Sequence, residues 1–225
     1  MKLSDRLAAS CGALTVLLVI VGGDVLGTPP GPQAAHPTGQ QNLDHLKWVA
    51  GNPSAQLGIV LELLGFTLMI VFVSYLATRF RDAGWLATAA LAGGLLEVGI
   101  KLSSGAPVFA AYMLRDEISP ETARMLVDMN GAAFVISWLP LGLFVACAAG
   151  AGMSVGDLGR VLGWGGIVVG VVTVVVSAAT GVHVLSAVFV PMLLCILWTL
   201  VVSLRLAFQR SIAAPNVPDR VKVAA

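Results

Sequence analysis

GWLATAALAGGLLEVGIKLS, residues 84–103, decides the fold. It is twenty residues long and holds two charges, Glu97 and Lys101. A bilayer-spanning helix needs about 20 mainly apolar residues. The stretch therefore predicts a membrane span rather than a soluble core helix. An ionisable side chain in hydrocarbon costs about 2.5–3.5 kcal/mol, so each charge needs an account. Glu97 and Lys101 are four positions apart and share a face, with Glu before Lys, the favourable order. Ala90 and Gly94 continue that face, and small residues there let another helix approach closely.

The whole chain reads the same way. Its 225 residues are 57% hydrophobic and 11% charged, where a soluble domain runs near 25% charged. Soluble, disordered, collagen-like and nucleic-acid-binding classes are excluded, the last also by a net charge of +1 without a basic tract. The expectation is an all-α, multi-pass transmembrane bundle. Its six spans are Ala8–Leu26, Ser54–Thr78, Gly84–Ser103, Met129–Gly150, Val161–Thr180 and Val184–Leu206. Residues 1–7 form a cytoplasmic N-terminus, and 207–225 a short cytoplasmic tail expected to be disordered. The first span reads as an uncleaved helix. A cleaved signal peptide is the alternative, disfavoured by the length of the run, the missing A-x-A site and Asp24 near the cleavage region.

Basic residues orient the bundle. Lys2, Arg6, Arg79, Arg81, Arg160, Arg205, Arg210, Arg220 and Lys222 share one side of a six-span topology, while Lys47, Arg115 and Arg124 lie opposite. The positive-inside rule then gives N-in, C-in. Trp85 and Trp164 open their spans as interfacial anchors at the cytoplasmic edge, and Trp48 marks the outer edge.

Two outer loops follow, 28–53 and 104–128. The first, rich in Pro, Gly and Gln, reads as mostly irregular, with His36 and His45 as solvated loop histidines. In the second, Ser119, Pro120 and Glu121 predict an N-capped helix running into span four. Gly105–Leu114 either extends span three or lies at the interface. Pro140 and Pro191 are expected to kink their helices, and Gly166 and Gly170 to pack closely. Cys11, Cys147 and Cys195 read as buried small hydrophobes.

The candidate polar cluster is Asp24, Glu62, Glu97, Lys101, Asp128, Asn130 and His183. At about 1.5 Å rise per residue, its intramembrane members fall in the outer half. Glu62 shares a helix face with Gly58, Gly65 and Met69, and the expectation is that this face meets the Glu97–Lys101 face. Two carboxylates and one ammonium leave a surplus negative charge, so either Glu62 is protonated or a cation shares the site. Two readings stand side by side: a buried ion pair that locks packing, or an outward vestibule for a small ligand or proton.

No H-E-x-x-H, G-x-S-x-G or phosphate-binding loop occurs, and the in-span histidines are too few for a membrane haem. No catalytic residue, metal or cofactor is expected. The leading expectation is a non-enzymatic structural, accessory or regulatory protein. A small-molecule or proton-linked carrier or sensor is the alternative, and a lipid- or isoprenoid-directed enzyme, with Glu62 and Glu97 as acid and base, the second alternative. Expected partners are the lipid bilayer, a small ligand in the outer half, and a helix-mediated partner or second copy.

Three stretches carry a family resemblance: Asn52-Pro53 leading to Leu61-Glu62-Leu63-Leu64, Leu158 to Trp164, and Pro191-Met192-Leu193-Leu194 followed by Trp198. With six spans in this length, the chain resembles a family of uncharacterised bacterial six-span membrane proteins. The resemblance implies a helical bundle in the bacterial cytoplasmic (inner) membrane. It carries over no activity and no site residues.

Overall fold

The computed structural model describes residues 2–31, 34, 36–180 and 185–209, with side chains at 180 and 185–188 left out. The helices are α1 (Leu3–Val19), α2 (Gly39–Gly51), α3 (Pro53–Arg79), α4 (Trp85–Met113), α5 (Pro120–Ile136), α6 (Trp138–Ser154), α7 (Arg160–Thr180) and α8 (Leu185–Phe208). A π-helical segment, Ile20–Leu26, continues α1. No strand occurs among the described residues. Six helical stretches are long and apolar enough to cross a membrane, with α5 and α6 together making the fourth. The protein is a six-span helical bundle.

The spans close into a ring. α1 packs between α3 and α8, α7 between α8 and α6, and α4 between α6 and α3. Side-chain volume sets these approaches. A Cβ on Gly142 would stand 2.6 Å from the Gly170 carbonyl, and one on Gly22 would stand 2.5 Å from the Gly58 carbonyl. Without a hydrophobic drive between helices in lipid, such backbone proximity is what holds spans together. Hydroxyls add to it. Thr15 Oγ1 donates to the Gly65 carbonyl at 2.9 Å, and the Ala13 amide donates to Ser203 Oγ at 2.7 Å. The Trp198 indole donates to the Leu162 carbonyl at 2.9 Å over Gly166.

The half of the bundle at the C-terminal ends of α3, α6 and α8 is solid. Phe72, Leu76, Phe80, Phe144, Leu158 and Leu206 are all fully buried there. Arg79 closes this end. Its Nε pairs with Asp157 Oδ2 at 2.8 Å, and its Nη2 donates to Asp157 Oδ1 at 2.9 Å and to Gln209 Oε1 at 3.0 Å. A residue assigned from sequence only to orientation thus also ties two connections at this end together. Trp85 and Trp164 stay exposed at the starts of their helices, as interfacial anchors should.

On the opposite side the structure decides between the two placements left open for Gly105–Leu114. α4 runs past Ser103, through Pro107, to Met113. At 1.5 Å per residue that is about 43 Å, so its tip stands clear of a hydrocarbon core of about 30 Å. The Ser103 and Ser104 hydroxyls donate to the Ile100 and Lys101 carbonyls in the turn before Pro107, which has no amide to offer the Ser103 carbonyl. α5 starts at Pro120 behind its Ser119 cap, as the sequence predicts, and runs back down beside α4. At Ser137 the helix breaks for one residue before α6, three residues ahead of Pro140, whose ring clashes with the preceding turn.

The first outer loop is not mostly irregular. Residues 39–51 form α2, begun by a capping box. Thr38 Oγ1 accepts from the Gln41 amide at 3.3 Å, and the Thr38 amide donates to Gln41 Oε1 at 2.8 Å. Leu43, Leu46 and Val49 recur at helical spacing, and the first two pack on Ala111 of α4 and Ala123 of α5, forming a second small core. The composition of the loop as a whole hid a periodic segment within it. His183 and the tail beyond Gln209 lie outside the described residues.

Gly142→Ala is expected to destabilise the detergent-solubilised protein by about 1–3 kcal/mol, since backbone on α7 must move to admit the methyl group. Gly99→Ala, with nothing within 4 Å of its new Cβ, is expected to be neutral or slightly stabilising. Thermal melting of both variants checks the pair.

Candidate functional site

The buried pair sits where residues 84–103 place it. Lys101 Nζ lies 3.7 Å from Glu97 Oε1, with side-chain exposures of 9% and 6%. Ala90 and Gly94 on the same face are buried, Gly94 against Val73 and Phe144. Lys101 has a further partner that sequence reasoning missed. Its ammonium stands 3.5 Å from the centroid of the Phe134 ring on α5 and 5.6 Å from that of Phe66 on α3. A cation over a ring face, with solvent excluded, is stabilised by the ring quadrupole by about 2 kcal/mol. Trp138 meets Phe134 edge-on at 6.0 Å and fixes its orientation.

Beside Lys101 opens a cavity of about 520 Å³. Its walls are the π-helical segment through Gly22, Gly23 and Gly27, α3 from Ala55 to Phe66, α4 from Lys101 to Tyr112, and Asn130 and Phe134 of α5. α2 roofs it through His45, Leu46 and Val49. Most of the lining is apolar, with Lys101, Glu62, Asn130, Gln56, His45, Ser104 and Tyr112 as the polar exceptions. Apolar Val60, Leu102 and Phe109 line it while remaining exposed, at 59%, 37% and 43%, so the cavity opens sideways through an apolar rim between α3 and α4.

Glu62 differs from Glu97. It is half-buried and makes neither a hydrogen bond nor an ion pair among the described residues. Its electrostatic neighbours are Lys101, which attracts it, and Asp24, which repels it. Gly23 makes room for it, since a Cβ there would stand 3.8 Å from the Glu62 carboxylate. The π-helical segment brings this glycine into place. Its Gly27 amide donates to the Gly22 carbonyl at 2.9 Å, a five-residue span that widens the helix, and such segments recur at functional sites.

Of the seven cluster residues, Glu97 and Lys101 pair, and Glu62, Lys101 and Asn130 line one cavity. Asp24 is exposed and does not line it. Asp128 is exposed too and pairs with Arg124 at 3.5 Å, one turn away on α5. His183 lies outside the described residues. The expected meeting of two small-residue faces is met on one side: Gly94 of α4 packs on Val73 of α3, but the glycines of α3 do not turn toward α4. The Gly58 and Gly65 face of α3 packs on the first span, while Gly93 of α4 packs on Pro140 and Phe144 of α6. A glycine face takes whichever backbone comes nearest, and the π-helical segment comes nearest to α3.

His45 is the other missed residue. It is no solvated loop histidine but lies on α2, half-buried over the cavity and tilted against Trp48 at 5.8 Å between centroids. Burial pushes its imidazole below the usual range. Its spacing within the Leu43–Leu46–Val49 periodicity is the signal that places it. Among the described residues no three His, Cys, Asp or Glu converge as a metal site. No family model, curated protein or solved structure matches the chain.

Lys101→Met is expected to destabilise the protein by about 3–5 kcal/mol, because it leaves Glu97 buried and unpaired. Adding Glu97→Gln should recover most of that loss, and a double-mutant cycle on thermal melts measures the coupling. For His45 the folded value is depressed, so the unfolded chain takes up the proton first. Stability of the α2 cap is then full above the ordinary histidine value of 6.5 and is lost as the pH falls through the folded one. Hydrogen exchange of α2 amides between pH 7 and pH 5 should show this loosening, and His45→Gln should abolish it.

Proposed function

We propose that this is a non-enzymatic integral membrane protein that holds a small amphiphilic molecule in the outer half of the bilayer, acting as a sensor or accessory component. The supporting observation is the roofed cavity of about 520 Å³, apolar along most of its wall and polar at Glu62, Lys101 and Asn130. Small-molecule sites have this size and this mixture of apolar wall with a few placed polar groups. The apolar rim at Val60, Leu102 and Phe109 favours a ligand that arrives through lipid rather than through water. The solid cytoplasmic half and the Arg79–Asp157 closure favour retention over passage. Glu97, paired and sealed, has no route to a substrate, which weighs against the acid–base enzyme reading. Location in a bacterial cytoplasmic membrane rests on the six-span resemblance and on the basic residues gathered at one end.

A thermal-shift series with single-chain amines, alcohols and acids tests this. At least one class is expected to raise the Tm of the wild-type protein. Gly105→Leu, which puts a side chain into the cavity where a Cβ has only the Phe109 ring at 3.7 Å, is expected to fold and to lose the shift. A flat response across all classes, or an unchanged shift in Gly105→Leu, contradicts the reading.

A further inference from the structure

We propose that the ligand of this cavity carries a monovalent organic cation, held by Glu62, with its apolar body along Ile59, Leu63, Phe66 and Phe109. This rests on the cavity being a ligand site and adds the chemical class of the head group. The argument is one of charge and partners.

The cavity and its floor hold two carboxylates and one ammonium. Lys101 is already satisfied, with Glu97 at 3.7 Å and the Phe134 ring face at 3.5 Å. An anionic head group reaching Lys101 would share the cavity with the Glu62 carboxylate, a like charge. Glu62 is the group left over: half-buried, with neither a hydrogen bond nor an ion pair among the described residues. A carboxylate leaving water loses hydration that only a cation or a proton replaces well.

An inorganic cation suits the wall poorly. Calcium takes six to eight oxygen ligands, and beside Glu62 and the cationic Lys101 the described lining offers the polar side chains of Asn130, Gln56, His45, Ser104 and Tyr112 and no second carboxylate. An organic ammonium needs one carboxylate and aromatic faces. The cavity supplies Phe109 and Tyr112 besides the Phe134 and Phe66 rings that Lys101 faces. Gly23 keeps the space over the carboxylate open, since any larger side chain at that position would fill the place of the head group.

The test uses full-length protein in nanodiscs of zwitterionic lipid, titrated calorimetrically with phenylbutylammonium, phenylbutanol and phenylbutyrate, with empty discs subtracted. The three probes share an apolar body and differ in head-group charge. The ammonium is expected to bind at least about tenfold tighter than the alcohol, with the carboxylate weakest. Glu62→Gln is expected to remove the ammonium's advantage and leave the alcohol's affinity unchanged. Equal binding of ammonium and alcohol to the wild-type protein overturns the proposal and means that Glu62 carries its own proton. Tightest binding of the carboxylate overturns it as well but keeps the cavity as a ligand site. Retention of the ammonium preference in Glu62→Gln overturns the role of Glu62. No binding of any probe overturns the ligand-site reading together with this one. The wild-type comparison stands by itself, whatever the yield of the variant.

Discussion

The ammonium of Lys101, inside a helix that crosses a bilayer, is held by Glu97 Oε1 at 3.7 Å and by the face of Phe134 at 3.5 Å. Either charge alone would be costly in hydrocarbon, and together with the ring they fix what surrounds them. The Glu97–Lys101 face of α4 has to be covered by protein. α3 and α6 cover it, through Val73 and Phe144 against Gly94, and α5 supplies the ring. The break at Ser137 lets α5 and α6 bend around that face instead of passing it as one straight rod. Phe134 lies just ahead of the break, and Trp138 just after it orients the ring.

Two different halves result. Below the pair, large apolar side chains fill the bundle, and Arg79 ties the connections at that end together. Above it, glycines replace bulk. Gly22, Gly23, Gly27 and Gly105 line a space that α2 roofs and that opens through an apolar rim. Such a space is costly in a packed bundle, because wall atoms lose their contact partners. Its charged groups, Glu62 and Lys101, sit beside the buried pair and away from the α2 roof, so a ligand there would be oriented along the wall.

The bundle was legible in the sequence because apolar length and the distribution of basic residues depend on composition alone. Glu97–Lys101 was legible because helical spacing is local. Other features depend on long-range geometry. The capping box at Thr38 and Gln41 and the periodicity of Leu43, Leu46 and Val49 were present, but a loop rich in Pro and Gly masked them. Phe134 looked like one more apolar residue, since no local pattern shows which ring will face a lysine on another helix. The π-helical segment has no sequence signal beyond Gly22-Gly23, yet it decides that α3 turns its glycine face to the first span and not to α4. Asp24 and Asp128 show the converse. Depth along a helix was read well enough, but which way each side chain points depends on the rotation of the helix in the bundle.

The central claim is a division of labour: Glu97 neutralises Lys101, and Glu62 remains free. The side-chain nitrogen resonance of Lys101, observed by NMR in nanodiscs with labelled lysine, tests it most directly. The account predicts an ordered ammonium signal in the wild-type protein. Glu62→Gln should leave that signal nearly unchanged, and Glu97→Gln should shift or abolish it. A signal indifferent to Glu97→Gln and lost in Glu62→Gln would contradict the account, because Glu62 would then be the structural partner and no free carboxylate would line the cavity.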